Sequence, residues 1–147
     1  MKKIILFMLP LFFFACEEDS QDVVMIDTSM PTGELSVMRS GSFVEQNGTG
    51  TTGMAALGTD DNGEQFLRFD PGFQTNLGTG TVTIFLSTSD MFVADPANGN
   101  PDLRLVGNVA MNGESFYQIA PNVESRFTHV ILWCASASIP FGYAPLQ

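Results

Sequence analysis

Positive charge is scarce in this chain. Lys2 and Lys3 are its only lysines, and Arg39, Arg68, Arg104 and Arg126 complete the basic set, against sixteen carboxylates. Nucleic acid and anionic lipid surfaces both need a basic stripe, so binding to either is disfavoured. One histidine and two cysteines leave no CxxC pair, no histidine-rich cluster and no zinc spacing, so no metal site is expected. No serine sits in a nucleophile elbow, so hydrolase chemistry has no supporting constellation and the reading leans away from an enzyme. The apolar run from Ile4 to Phe14, broken by Pro10, is too short to span a bilayer as a stable helix. No long segment repeats its apolar residues with a helical period. That absence, with abundant Gly, Thr, Ser, Asn and Phe, points to an exported all-β domain.

What the first residues do contain is ordered like a targeting signal. Lys2 and Lys3 give a positive start, the Ile4–Phe14 run follows, and small Ala15 precedes Cys16. The junction resembles the lipobox of bacterial lipoproteins, although Phe13 and Phe14 depart from its usual residues. The reading is a signal peptide over residues 1–15 and lipidation of Cys16, which gives the protein a membrane partner through its anchor. Several acyl chains on one residue hold stably where a single chain holds marginally. Residues 16–32 read as an acidic tether that opens with Glu17, Glu18 and Asp19. The expected location is the bacterial outer membrane, on its periplasmic or its surface-exposed face.

Residues 33–146 carry the strand signals. Thr81 to Leu86 is the clearest alternation, with Val82, Ile84 and Leu86 on one face. Glu64 to Phe69 places Leu67 and Phe69 on one face, Phe66 and Arg68 on the other. Asp60-Asp61-Asn62-Gly63 marks a hairpin with a solvated tip, and Asn112-Gly113 a second tight turn. Leu103–Val109 and Ser115–Ile119 read as strands. Thr128 to Ala135 is apolar throughout and reads as a central strand buried on both faces, with Trp133 as a core anchor. Phe141 to Leu146 is expected to close the sheet. The fold expected is one sandwich-like domain of about seven to nine antiparallel strands.

These residues resemble a known family. Leu67-Arg68-Phe69-Asp70 with Phe73, Gly80 to Ser87, Leu105-Val106-Gly107, and Gly113 with Tyr117-Gln118-Ile119 match the DM-thirteen domain, also labelled electron-transfer DM. The most specific match is Val130-Ile131-Leu132-Trp133-Cys134 followed by Phe141-Gly142-Tyr143-Ala144 and Leu146. The resemblance implies an extracellular all-β module and a redox role for its cysteine, since the domain occurs beside DOMON domains and membrane cytochromes. It names no cofactor and no protein partner for this chain.

Cys134 is therefore the candidate redox thiol. With Cys16 lipidated, it would be a lone thiol in an oxidising compartment, where most cysteines are paired. The plain alternative is a small buried hydrophobe in a non-catalytic binding or structural domain. Strand alternation places Cys134 with Leu132 and Val130, and His129, Ile131 and Trp133 on the other face. His129 and Cys134 thus cannot ligate one metal without a bulge. Gly48-Thr49-Gly50-Thr51-Thr52-Gly53 fits a dinucleotide pattern by letter, but neither a parallel strand nor a helix flanks it, so it reads as a turn. Asp90, Asp95, Asn98, Asn100 and Asp102 make an oxygen-rich loop whose spacing fits no calcium motif.

Overall fold

The computed structural model describes residues 30–95 and 98–147. Cys16, the expected lipidation site, the expected signal segment and most of the expected tether lie outside the described residues. Among the described residues nine strands form two antiparallel sheets: β1 (Ser36–Ser42), β2 (Val44–Glu45), β3 (Met54–Thr59), β4 (Gln65–Phe69), β5 (Val82–Ser87), β6 (Leu103–Asn108), β7 (Ser115–Ile119), β8 (His129–Cys134) and β9 (Ile139–Pro145). One sheet runs β1-β3-β4-β7, the other β2-β9-β8-β5-β6. The fold is an all-β sandwich.

Alternation explains the core. Leu67 and Phe69 of β4, Val82, Ile84 and Leu86 of β5, and Val130, Leu132 and Cys134 of β8 meet between the sheets. Phe43, Phe69 and Phe73 pack ring against ring, with centroids 4.4–5.3 Å apart, at the geometry aromatic pairs prefer. Burying one such side chain contributes about 1.5–3 kcal/mol. As expected, β8 is central, flanked by β5 and β9. β9 lies inside the sheet, between β2 and β8, and the two-residue β2 forms that edge. The Asn112-Gly113 turn joins β6 to β7, which belong to different sheets, so it is a crossover and not a hairpin.

The Asn62-Gly63 hairpin is present, with Gly63 at φ +81 in the region that favours glycine. Its tip, Asp61 to Glu64, is exposed as expected, and Asp60 at its base is the exception. Asp60 is only 7% exposed. Its carboxylate accepts the N–H groups of Thr32, Asn62 and Glu64, at 3.0, 2.9 and 2.9 Å. The Thr32 N–H, largest among these backbone donors, holds the Asp60 carboxyl below its ordinary value. Asp61 N–H also donates to Thr32 O, so the leading segment is tied to this hairpin. Leu35 then lies over Gly58, the cross-strand partner of Phe66. Phe66, on the outward face of β4, is fully buried.

At the opposite end, the turn after β2 and the β4–β5 loop are joined by hydroxyls. Thr75, Thr51 and Thr49 stand in line, 2.8 and 2.9 Å apart, and Thr49 Oγ1 donates to Phe141 O at 2.7 Å. The Gly48–Gly53 stretch is the turn its sequence indicates, and its buried threonines satisfy one another. The β8–β9 turn and Cys134 lie at this same end.

Candidate functional site

Cys134 closes β8 and pairs with Val82 of β5 and Ile139 of β9. Its side chain points into the sandwich with Leu132 and Val130, as alternation requires, and it is 0% exposed. The register shift beside it falls in β9, where Phe141 is passed over between Gly142 and Pro140. β8 stays regular, so His129 and Cys134 remain on opposite faces.

The cover over the sulfur is thin and polar. Thr79 Oγ1 lies 3.5 Å from Cys134 Sγ, and Ser136 Oγ lies 3.2 Å from it. Both residues are exposed. Ser136 Oγ donates to Thr79 O at 2.7 Å and so fastens the β4–β5 loop to the β8–β9 turn across the sulfur. Gly80 has φ +108, and a Cβ there would stand 3.2 Å from Ser136 Oγ, so the closure favours glycine.

The Ser136 and Thr79 hydroxyls hold the Cys134 thiol below its ordinary value, burial opposes them, and the N–H groups of Ala137 and Ser136 add to the lowering. Proton counting limits this effect. A serine hydroxyl carries one proton, and that of Ser136 lies on Thr79 O. In the closed arrangement the thiol therefore donates to Ser136 Oγ. Ser136 stabilises a thiolate only after turning its proton from the carbonyl to the sulfur, which unfastens the loop. The donors are neutral dipoles, and the four arginines are engaged elsewhere: Arg39 at Phe127 O, Arg68 at Glu114, Arg104 at Pro121 O, Arg126 at Glu124.

Other sequence candidates resolve differently. His129 is half-buried on the outer face, and its Nδ1 lies 2.9 Å from Thr128 Oγ1. Thr128 Oγ1 in turn lies within reach of Thr88 O, at 3.2 Å. Trp133 is a correction: it lies outside the core cluster, half-buried on the outer face, stacked on Phe92 at 4.1 Å and 16°. The strand pattern already placed it opposite Cys134; the apolar surroundings concealed the consequence. In the oxygen-rich loop, Asp95 accepts from Asn98, and Asn100 Oδ1 from Asp102 N–H. Among the described residues no group of three or more His, Cys, Asp or Glu is placed to hold a metal ion.

Two residues at the sulfur escaped the sequence reading. Ser136 had a usable signal, as a hydroxyl two residues past the strand end. Thr79 had none, because it is 55 residues away and meets the sulfur only through the sheet.

No curated protein and no solved structure matches the chain. A family model does, that of the electron transfer DM13 domain, over residues 42–146. The match opens at the last residue of β1 and takes in the remaining strands, the Cys134 turn and the loop that covers it. With most of its length so matched, the chain belongs to the electron transfer DM13 family.

Proposed function

We propose that this protein is an accessory redox or electron-transfer module of the bacterial cell envelope, anchored by lipid at Cys16, with Cys134 as its redox thiol. The observation that carries the reading is the thin polar cover of Cys134, where the hydroxyls of Thr79 and Ser136, both exposed residues, stand 3.5 and 3.2 Å from the sulfur. Membership of an electron-transfer family supports the same class of function. A lone thiol needs a partner from outside the domain to exchange an electron pair, and an external disulfide is one that balances. The Cys134 thiolate attacks one sulfur of an external disulfide, a new S–S bond forms as the old one breaks, and the departing sulfur keeps the electron pair and takes a proton from solvent. The Ala15-Cys16 junction after a short apolar run supports the anchor, and the acids behind it suit an outer-membrane destination.

A second reading has an observation of its own. Cys134 is fully buried within the core cluster, which favours a non-catalytic binding or structural domain with the thiol as packing. Thiol titration of the native protein, with its absorbance spectrum, separates the two. Labelling without denaturant, at an apparent pKa below about 8.5, supports the redox thiol. Labelling that requires denaturant, with no bound chromophore or metal, leaves the packing role. For the anchor, Cys16→Ser abolishes palmitate labelling and membrane fractionation; unchanged fractionation overturns it.

A further inference from the structure

The outer face of β8 carries a feature that the redox reading does not use. A cleft of about 250 Å³ opens beside Trp133, lined by Gln46, Asp90, Met91, Phe92, Trp133 and Pro140. Phe92 stacks on Trp133 and meets Phe85 at 5.1 Å, so the loop after β5 folds back and builds an aromatic wall. The opposite wall is held by two hydrogen bonds: Gln46 N–H donates to Phe141 O, and the Asn47 side-chain Nδ2 donates to Pro140 O at 2.7 Å. Met91 is 65% exposed at the rim, an unbranched apolar side chain left in water.

Two polar groups of this lining have no partner among the described residues. Gln46 Oε1 is enclosed and accepts no hydrogen bond, an arrangement that is unfavourable unless something satisfies it. Asp90 joins none of the ion pairs, and the four arginines are engaged elsewhere. Aromatic faces, a free carboxylate, an unused amide acceptor and no cation define a complementary ligand. It bears positive charge, donates hydrogen bonds and carries an apolar body.

We infer that this cleft binds an organic cation, a protonated amine on an apolar stem. Asp90 supplies the countercharge, Gln46 Oε1 accepts a donor hydrogen, and the Trp133–Phe92 pair holds the stem and attracts the charge through its ring faces. The site does not involve Cys134, which faces the other side of β8.

Trp133 is the only tryptophan, so its emission reports on the cleft without background. The full-length protein in non-ionic detergent is titrated with phenethylammonium, and with neutral 2-phenylethanol as the matched control. A saturable emission change is expected with the ammonium and a weaker response with the alcohol. Asp90→Asn is expected to weaken ammonium binding about two- to fivefold, in keeping with an exposed charge contact. Gln46→Leu weakens it as well, whereas Asp61→Asn, an equal charge change at the distant hairpin tip, leaves it unchanged. No saturable response, equal binding of the alcohol, or equal effects of Asp90→Asn and Asp61→Asn overturns the inference. Within a positive result, a lysine tripeptide with blocked ends that binds tighter than butylammonium assigns the cation to a protein partner; the reverse order assigns it to a free amine.

Discussion

The two faces of β8 carry the chain's rarest side chains back to back. Inward, Val130, Leu132 and Cys134 are fully buried in the core. Outward, His129 and Trp133 are half-buried, and Ile131 is fully covered between its cross-strand partners Phe85 and Tyr143. Both faces are apolar in sequence, yet they are closed by different means. The inner face is sealed by the opposing sheet. Among the described residues the outer face at Trp133 is roofed by a loop that brings Phe92 onto it. An uninterrupted apolar strand therefore does not imply equal packing on its two sides.

The largest effect that tests this contrast is on stability. Leu132→Ala is expected to cost about 2–5 kcal/mol, since it leaves a cavity between sheets. Trp133→Ala is expected to cost less, because it removes one stacked pair, about 0.5–1.5 kcal/mol beyond its area, from a half-open surface. Urea unfolding of both variants checks the order, and a larger loss for Trp133→Ala breaks the comparison.

The second test concerns the cover of the inner face. Ser136→Ala removes the bond that fastens Thr79 and also removes a donor to the thiolate. The limiting rate of native thiol alkylation at high pH is expected to rise, because the loop opens. Its pH midpoint is expected to move up toward the ordinary cysteine value. A slower limiting rate would show that the hydroxyl does not hold the cover closed.

Acid sensitivity belongs to neither face of β8 but to the hairpin at the far end. The folded-state value of Asp60 is lowered, so its contribution is present above the unfolded value of about 3.9 and is lost as pH falls through the folded value. Asp60→Asn is expected to lower stability at neutral pH and to flatten the acid limb of a melting-temperature profile. An unchanged acid limb would assign that limb to other carboxylates. The smallest effect is expected from Asp90→Asn, within about 0.5 kcal/mol of the parent, as for surface substitutions away from packed features. A larger loss would mean that Asp90 supports the loop roof and not a ligand.

Much of the architecture is legible along the chain, and the reasons are local. Val82, Ile84 and Leu86 alternate because a strand at a sandwich wall must, and all three lie in the core. Asn62-Gly63 makes a hairpin because its backbone tolerates the required positive φ. Phe66 shows where local reading stops. Its alternation is outward, yet it is fully buried, and beside it the leading segment, tied down by Asp60, lays Leu35 across Gly58.

The sequence alone determined an all-β domain, the family resemblance, the face of β8 that Cys134 occupies, and the separation of Cys134 from His129. Those follow from strand periodicity and residue identity, which act between near neighbours. Only the tertiary structure decided that Thr79 and Ser136 roof the sulfur, that Asp60 is a clasp, and that Phe92 turns the outer face beside Trp133 into a cleft. Each of these depends on where a loop returns, and loop return is set by sheet order and by hydrogen bonds between residues far apart in the chain.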